Sequence, residues 1–204
     1  MLALLGGLTA GCGGGGERGA ASGSSSSPTS APPSHAGTDN STSGHDGADD
    51  AGSAQPPFPA NTEPDIQQAS ADAFGNVTDV RIGHHDGFDR VVLQFGGRGT
   101  PGWDVRYVDR PASQGSGAAI DLAGAAALQA TVRGVGNPPD TGVAEYSGPR
   151  RISAPDTDAV TEVVFDGTFE GTTVVFVGTA GKTPFRVYLL QSPPRIVLDV
   201  AHAS

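Results

Sequence analysis

Cysteine occurs once in the 204 residues, at Cys12, and lysine once, at Lys182. A lone cysteine closes no internal disulfide, so Cys12 does not staple a fold. The chain has no C-x-x-C, no H-E-x-x-H, no G-x-S-x-G and no phosphate-loop glycine pattern. The usual signatures of metal hydrolysis, serine acyl transfer and nucleotide binding are therefore missing. No apolar run reaches the ~20 residues that a membrane-spanning helix needs. Basic groups are also scarce, 12 against 22 acidic ones, for a formal net charge of −10. That balance argues against nucleic acid and against adhesion to anionic lipid heads.

What surrounds Cys12 gives the thiol its meaning. A buried thiol, a reactive thiol and a modified thiol are the three readings. Gly13 to Gly16 offer nothing to cover a buried sulfur, and no base or ordered pocket to activate a catalytic one. Modification remains. Residues 1–11, MLALLGGLTAG, are apolar or small throughout, the right length for the apolar core of a signal peptide. LTAGC resembles a bacterial lipobox, which implies cleavage before Cys12 and acylation there, with diacylglycerol on the sulfur and palmitate-type chains as the anchor. A signal peptide opens with Lys or Arg, and the first basic residue here is Arg18. The true start is therefore expected upstream of Met1.

Residues 12–73 differ in material from the rest. Phe58 and Ile66 are nearly their only large apolar side chains. Such a segment buries too little surface to offset the entropy of ordering it, so a disordered tether is expected. About 60 residues of it have an r.m.s. reach of roughly 40–47 Å and an extended limit of about 200 Å. The tether carries eight acidic groups against Arg18, whereas Val77 onward carries fourteen acidic and eleven basic ones. Most of the negative charge thus belongs to the tether. The simplest role for it is to hold the domain away from a lipid anchor.

Residues 74–204 have the size of one domain and need no disulfide to form a core. They read as short β-rich runs separated by Gly, Pro and Asp. The runs are Val77–His85, Phe88–Phe95, Trp103–Val108, a strand around Leu128–Val132, Val160–Phe165, Phe169–Gly178, Pro184–Leu190 and Pro194–Val200. Asp166-Gly167 is a hairpin signal between the fifth and sixth. Eight strands without a long amphipathic helix predict an all-β fold, an antiparallel β-sandwich. DRVVLQF (89–95) and PRIVLDV (194–200) echo each other, which suggests equivalent, adjacent places in the sandwich.

The series VTDVRIGHHDGFDRVVLQF, EYSGPRRI, DGTFEGTTVVFVG and TPFRVYLLQSPPRIVLDV resembles the AMIN-like domain of surface lipoproteins of high-GC Gram-positive bacteria. The resemblance covers nearly all of Val77–Val200. The closing PPRIVLDV is more distantly similar to the AMIN domain of cell-wall amidases and of pilus and secretin proteins. That similarity implies a β-sandwich that localises its carrier, often by binding peptidoglycan.

Candidate ligand contacts are Arg150, Arg151, Arg90, Tyr146 and Tyr107. Arg150 and Arg151 follow Gly148-Pro149, and guanidinium forks grip carboxylates bidentately. Peptidoglycan stem peptides carry carboxylates. The competing reading pairs these arginines with Asp156, Asp158 or Glu162. Asp89 and Arg90 open the strongest strand, where a local ion pair or a turn cap competes with ligand contact. Tyr107, Tyr146 and Trp103 offer faces to sugar rings, or serve as core and edge filler. Glu170 and Arg195, at strand starts, are candidates to pair with each other. His84, His85, Asp86 and Asp89 include metal-ligand types, but adjacent strand residues point to opposite faces, so no metal and no cofactor are expected. A paired-carboxylate glycosidase would leave no linear signature. Even so, a non-enzymatic binding module is the expectation. It is anchored in the cell membrane, faces out of the cytoplasm, and binds peptidoglycan or another wall component. Docking of an envelope protein is the alternative.

Overall fold

A computed structural model describes residues 61–203. The leader, Cys12 and the tether up to residue 60 lie outside the described residues. Among those described there are ten strands and one short helix. In chain order they are β1 (Asp65–Gln67), β2 (Phe74–His85), β3 (Phe88–Arg98), β4 (Gly102–Val108), β5 (Ala126–Arg133), α1 (Pro138–Thr141), β6 (Arg151–Ser153), β7 (Val160–Phe169), β8 (Thr172–Thr179), β9 (Phe185–Leu190) and β10 (Arg195–Ala201). They form a sandwich of two antiparallel sheets, β1-β4-β5-β8-β7-β6 and β2-β3-β10-β9.

Alternation builds the core. Val91, Leu93 and Phe95 of β3, Ile196, Leu198 and Val200 of β10, and Val187 and Leu189 of β9 point inward from the smaller sheet. They meet Trp103, Val105, Leu128, Ala130, Val132, Val163, Val175 and Val177 from the larger one. β3 and β5 bury close to every second side chain, the period-2 pattern of a strand with one covered face, whereas β8, β9 and β10 are buried on both faces. All eight expected strands are present. The two echoing segments, β3 and β10, are antiparallel neighbours, with Asp89 opposite Val200 and Gln94 opposite Arg195.

Several local expectations are corrected. Residues 61–73, read as tether, contribute to the sandwich: Asn61 bridges Phe185, and β1 pairs with β4. Trp103 Nε1 donates to Asp65 Oδ1 at 2.7 Å, tying β1 to the core. Asp166-Gly167 is not a turn. β7 runs on to Phe169 through a register shift at that dipeptide, and the chain reverses at Glu170-Gly171, both with positive φ. A bulge absorbs the turn-like residues inside the strand. β6 has only three residues, too few for alternation to reveal.

The connection from β4 to β5, residues 109–125, acts as a strap over the outer face of the larger sheet. Ile120 and Leu122 pack there on Val164, Val174 and Phe176, a second small apolar cluster. Gly178 of β8 lets the strap approach, because a Cβ at that position would overlap the Ala123 carbonyl oxygen.

Candidate functional site

Two clefts flank the strap, with Ile120 in the wall of both. One, of about 370 Å³, is lined by Ser113 and Ser116 of the strap, by Arg150 and Arg151, and by Ile120 and Val164. The structure therefore brings the two leading arginines to one opening, although neighbours in an extended chain diverge. Arg151 begins β6 opposite Val164, and Arg150 lies just before it, where its carbonyl accepts the Phe165 N–H.

Both guanidiniums are partly committed. Arg150 Nη2 donates to Asp166 Oδ1. Arg151 Nη1 donates to Glu162 Oε2 at 2.9 Å, and its Nη2 donates to the Asp121 carbonyl at 2.8 Å. The Glu162 pairing is one of the three foreseen; Asp166 was not among them. The acids are nearly covered, at 3% and 12% side-chain exposure, while Arg150 and Arg151 remain 61% and 50% exposed. Each guanidinium carries five N–H donors. These contacts anchor one or two donors of each and leave others toward the cleft.

The second cleft, about 530 Å³, includes Tyr107, Asp109, Asp121 and Lys182. Tyr107 Oη donates to the Thr183 carbonyl at 2.7 Å and accepts the Thr183 N–H at 3.0 Å. Its ring packs edge-on against Phe185, with Lys182 Nζ 5.5 Å from the centroid. Tyr146 is likewise engaged. Its hydroxyl donates to the Pro149 carbonyl, and its ring lies edge-on to Phe165 at 5.0 Å. Burial, with Asp79 nearby, raises its phenol above the ordinary 10. Trp103 is buried. The three aromatics are thus packed side chains: the two tyrosine hydroxyls bond backbone groups, and the Trp103 indole donates to the Asp65 carboxylate.

Arg90 lies elsewhere, on the outer face of the smaller sheet. Its Nε and Nη2 grip Asp199 at 2.7 and 3.0 Å, and Arg186 Nε reaches the same carboxylate at 2.9 Å. These three residues face one another directly across β3, β10 and β9. Asp199 has no exposed surface. Burial alone lowers the Arg90 pKa, but the Asp199 bonds outweigh it and raise the group above its ordinary value. Arg90 therefore belongs to a structural ion cluster. It makes no local pair with Asp89, because consecutive strand residues take opposite faces.

Asp89 points the other way, into the end of the sandwich, and is also fully covered. Its Oδ2 accepts the Ala159 and Val160 N–H groups. Its Oδ1 faces His84 Nδ1 at 3.0 Å and His202 Nε2 at 3.1 Å. Burial raises the carboxyl pKa, yet the two backbone donors and two imidazoles hold it below the ordinary carboxylate range. His84 and His85 do diverge, as expected: His85 stacks on Phe88 at 4.9 Å. Burial, then the Arg90 charge, lowers the His85 pKa below its ordinary 6.5. Sequence reading missed His202, because only the pairing of β3 with β10 brings it to Asp89. Glu170 and Arg195 do not pair. Glu170 sits in the β7–β8 turn of one sheet, and Arg195 opens β10 in the other and donates to the Pro193 and Gln191 carbonyls.

A family model for the AMIN-like domain matches residues 75–202. No curated protein and no solved structure matches the chain.

Proposed function

Since the chain belongs to the AMIN-like domain family, we propose that it is a cell-envelope binding module and that it recognises peptidoglycan through carboxylates of the stem peptides. The family points to envelope association in general. The feature that supports a carboxylate ligand is the shared opening of Arg150 and Arg151 onto the cleft with Ser113 and Ser116. Half-exposed guanidiniums, steadied from behind by Asp166 and Glu162, are preorganised, so little rotamer entropy is lost when a ligand binds. Serine hydroxyls in the opposite wall can donate to a second oxygen or accept an amide N–H. The protein holds its ligand and does not transform it. Lipid on Cys12 keeps it at the outer side of the cell membrane, and the tether lets the domain reach the wall.

The test uses the full chain with Cys12→Ser, mixed with purified sacculi. The chain pellets with intact sacculi, and Arg150→Ala with Arg151→Ala weakens this by about tenfold or more, the size expected for lost charge-assisted hydrogen bonds. Glycan strands stripped of their peptides bind poorly. Equal binding to stripped strands would refute the carboxylate reading. Failure to pellet would favour the alternative, docking of an envelope protein. That reading draws support from Phe169, a large apolar side chain 43% exposed at the tip of the β7–β8 turn beside the same cleft.

A further inference from the structure

The end of the sandwich at the β2–β3 turn holds a second constellation, independent of the arginine cleft. Three adjacent strands deliver one side chain each: His84 from β2, Asp89 from β3, and His202 from just beyond β10. The His202 N–H donates to the Gly87 carbonyl in the turn between His84 and Asp89, which fixes the third residue beside the first two. The two imidazoles are stacked, with centroids 5.1 Å apart and planes at 14°. One ligand-type atom from each of His84, Asp89 and His202 lies within 4.8 Å of the other two.

The carboxylate is unusually well prepared. Its Oδ2 is occupied by two backbone N–H groups from the start of β7, in the opposite sheet. Only Oδ1 is left, and it is directed at the point where the imidazoles converge. Asp158, 69% exposed, stands on the open side, with Oδ2 3.7 Å from His202 Nδ1 and 3.9 Å from His84 Nδ1. Both separations are longer than a hydrogen bond, so Asp158 is a nearby carboxylate on the open side and holds neither ring.

We propose that His84 Nδ1, His202 Nε2 and Asp89 Oδ1 form a binding site for a zinc-class divalent cation, with a fourth position open toward Asp158 and solvent. Two imidazoles and one carboxylate are a donor set suited to zinc and neighbouring transition metals, whereas calcium and magnesium take oxygen donors. Tetrahedral zinc at ~2.0–2.2 Å from its ligands spaces the donor atoms about 3.4 Å apart. The two N···O separations already lie close to that, at 3.0 and 3.1 Å. Closing the site asks the two imidazole nitrogens to take up that same spacing. The bound ion would join β2, β3 and β10 directly. Through Asp89 it would also reach the start of β7, so it would clamp both sheets at one end.

The experiment uses the untagged full chain in a His35→Ala, His45→Ala background, so that histidines outside the domain do not contribute. Titration with Zn2+ alone is followed by calorimetry, and Co2+ by visible absorption. One equivalent of Zn2+ binds and raises the Tm, and Co2+ gives the intense visible bands of four-coordination. His84→Ala and His202→Ala each weaken Zn2+ binding by at least about tenfold and abolish the rise in Tm, while His85→Ala leaves both unchanged. Far-UV circular dichroism without metal checks that each variant folds. If one does not, His202→Gln, which keeps a polar contact to Asp89 but supplies no imidazole, takes its place. No saturable Zn2+ uptake, weak six-coordinate Co2+ bands, or binding that survives both substitutions would overturn the proposal.

Discussion

Asp199 is fully buried on the outward face of the smaller sheet, where a carboxylate would ordinarily meet water. Among the described residues, its own counter-charges lie against it. Arg90 and Arg186 lie directly across the neighbouring strands, and the Arg186 guanidinium sits 5.3 Å from the Phe88 centroid and 5.7 Å from that of Tyr188. Desolvating three charges together is tolerable only while the central one is present. Asp199→Asn would leave two arginines short of their shared partner, so it is expected to destabilise the domain by about 3–5 kcal/mol. The check is the urea midpoint of the variant against the parent chain; an unchanged midpoint would mean that the cluster contributes little. The sequence flagged Arg90 as a residue of interest, but its partner lies 109 positions away, and no local pattern connects them.

Among the elements, the strap of residues 109–125 links the architecture to the proposed binding cleft. Its apolar side, Ile120 and Leu122, covers Val164, Val174 and Phe176. Its polar side supplies Ser113 and Ser116 to the arginine cleft. Gln114 fastens it further: its backbone N–H donates to Asp166 Oδ2, and its side-chain amide donates to the Phe169 carbonyl at 2.7 Å. The seat of the strap at Gly178 admits no larger residue. Gly178→Val is therefore expected to lift it, at a cost of about 1–3 kcal/mol, and to weaken sacculus binding along with stability. Thermal melting and pelleting of one preparation measure both; a variant that loses stability but binds normally would separate the strap from the site. The strap left little trace in the sequence. Its residues are mostly small and polar, and they read as a loop whose docking place is set only by the apolar patch on β7 and β8. The strands β3 and β10, by contrast, were plain: β3 buries alternate residues, and β10 is a nearly continuous apolar run buried on both faces.

The sequence as a whole joins a β domain to an N-terminal segment rich in acidic residues, and its only thiol is Cys12. If that sulfur carries the anchor, labelled palmitate fed to cells enters the parent chain and is absent from Cys12→Ser, which is then released from the membrane fraction. No label in the parent would remove the anchor from the proposed function while leaving the wall-binding test untouched. A domain with eleven basic and fourteen acidic groups beyond Val77 has no dominant charge of its own, so recognition must come from local arrangement. By itself the sequence determined the all-β class, the eight principal strands, and the neighbourhood of the two echoing segments. Those are properties of composition and of a two-residue period, and both are local. Only the tertiary structure decided that Arg150 and Arg151 share a cleft with a distant strap, that Asp199 sits between two arginines, and that His202 returns to Asp89 across 113 residues. Strand order and register settle which side chains meet, and they follow from how all the buried faces fit together, a condition that no single stretch of chain contains.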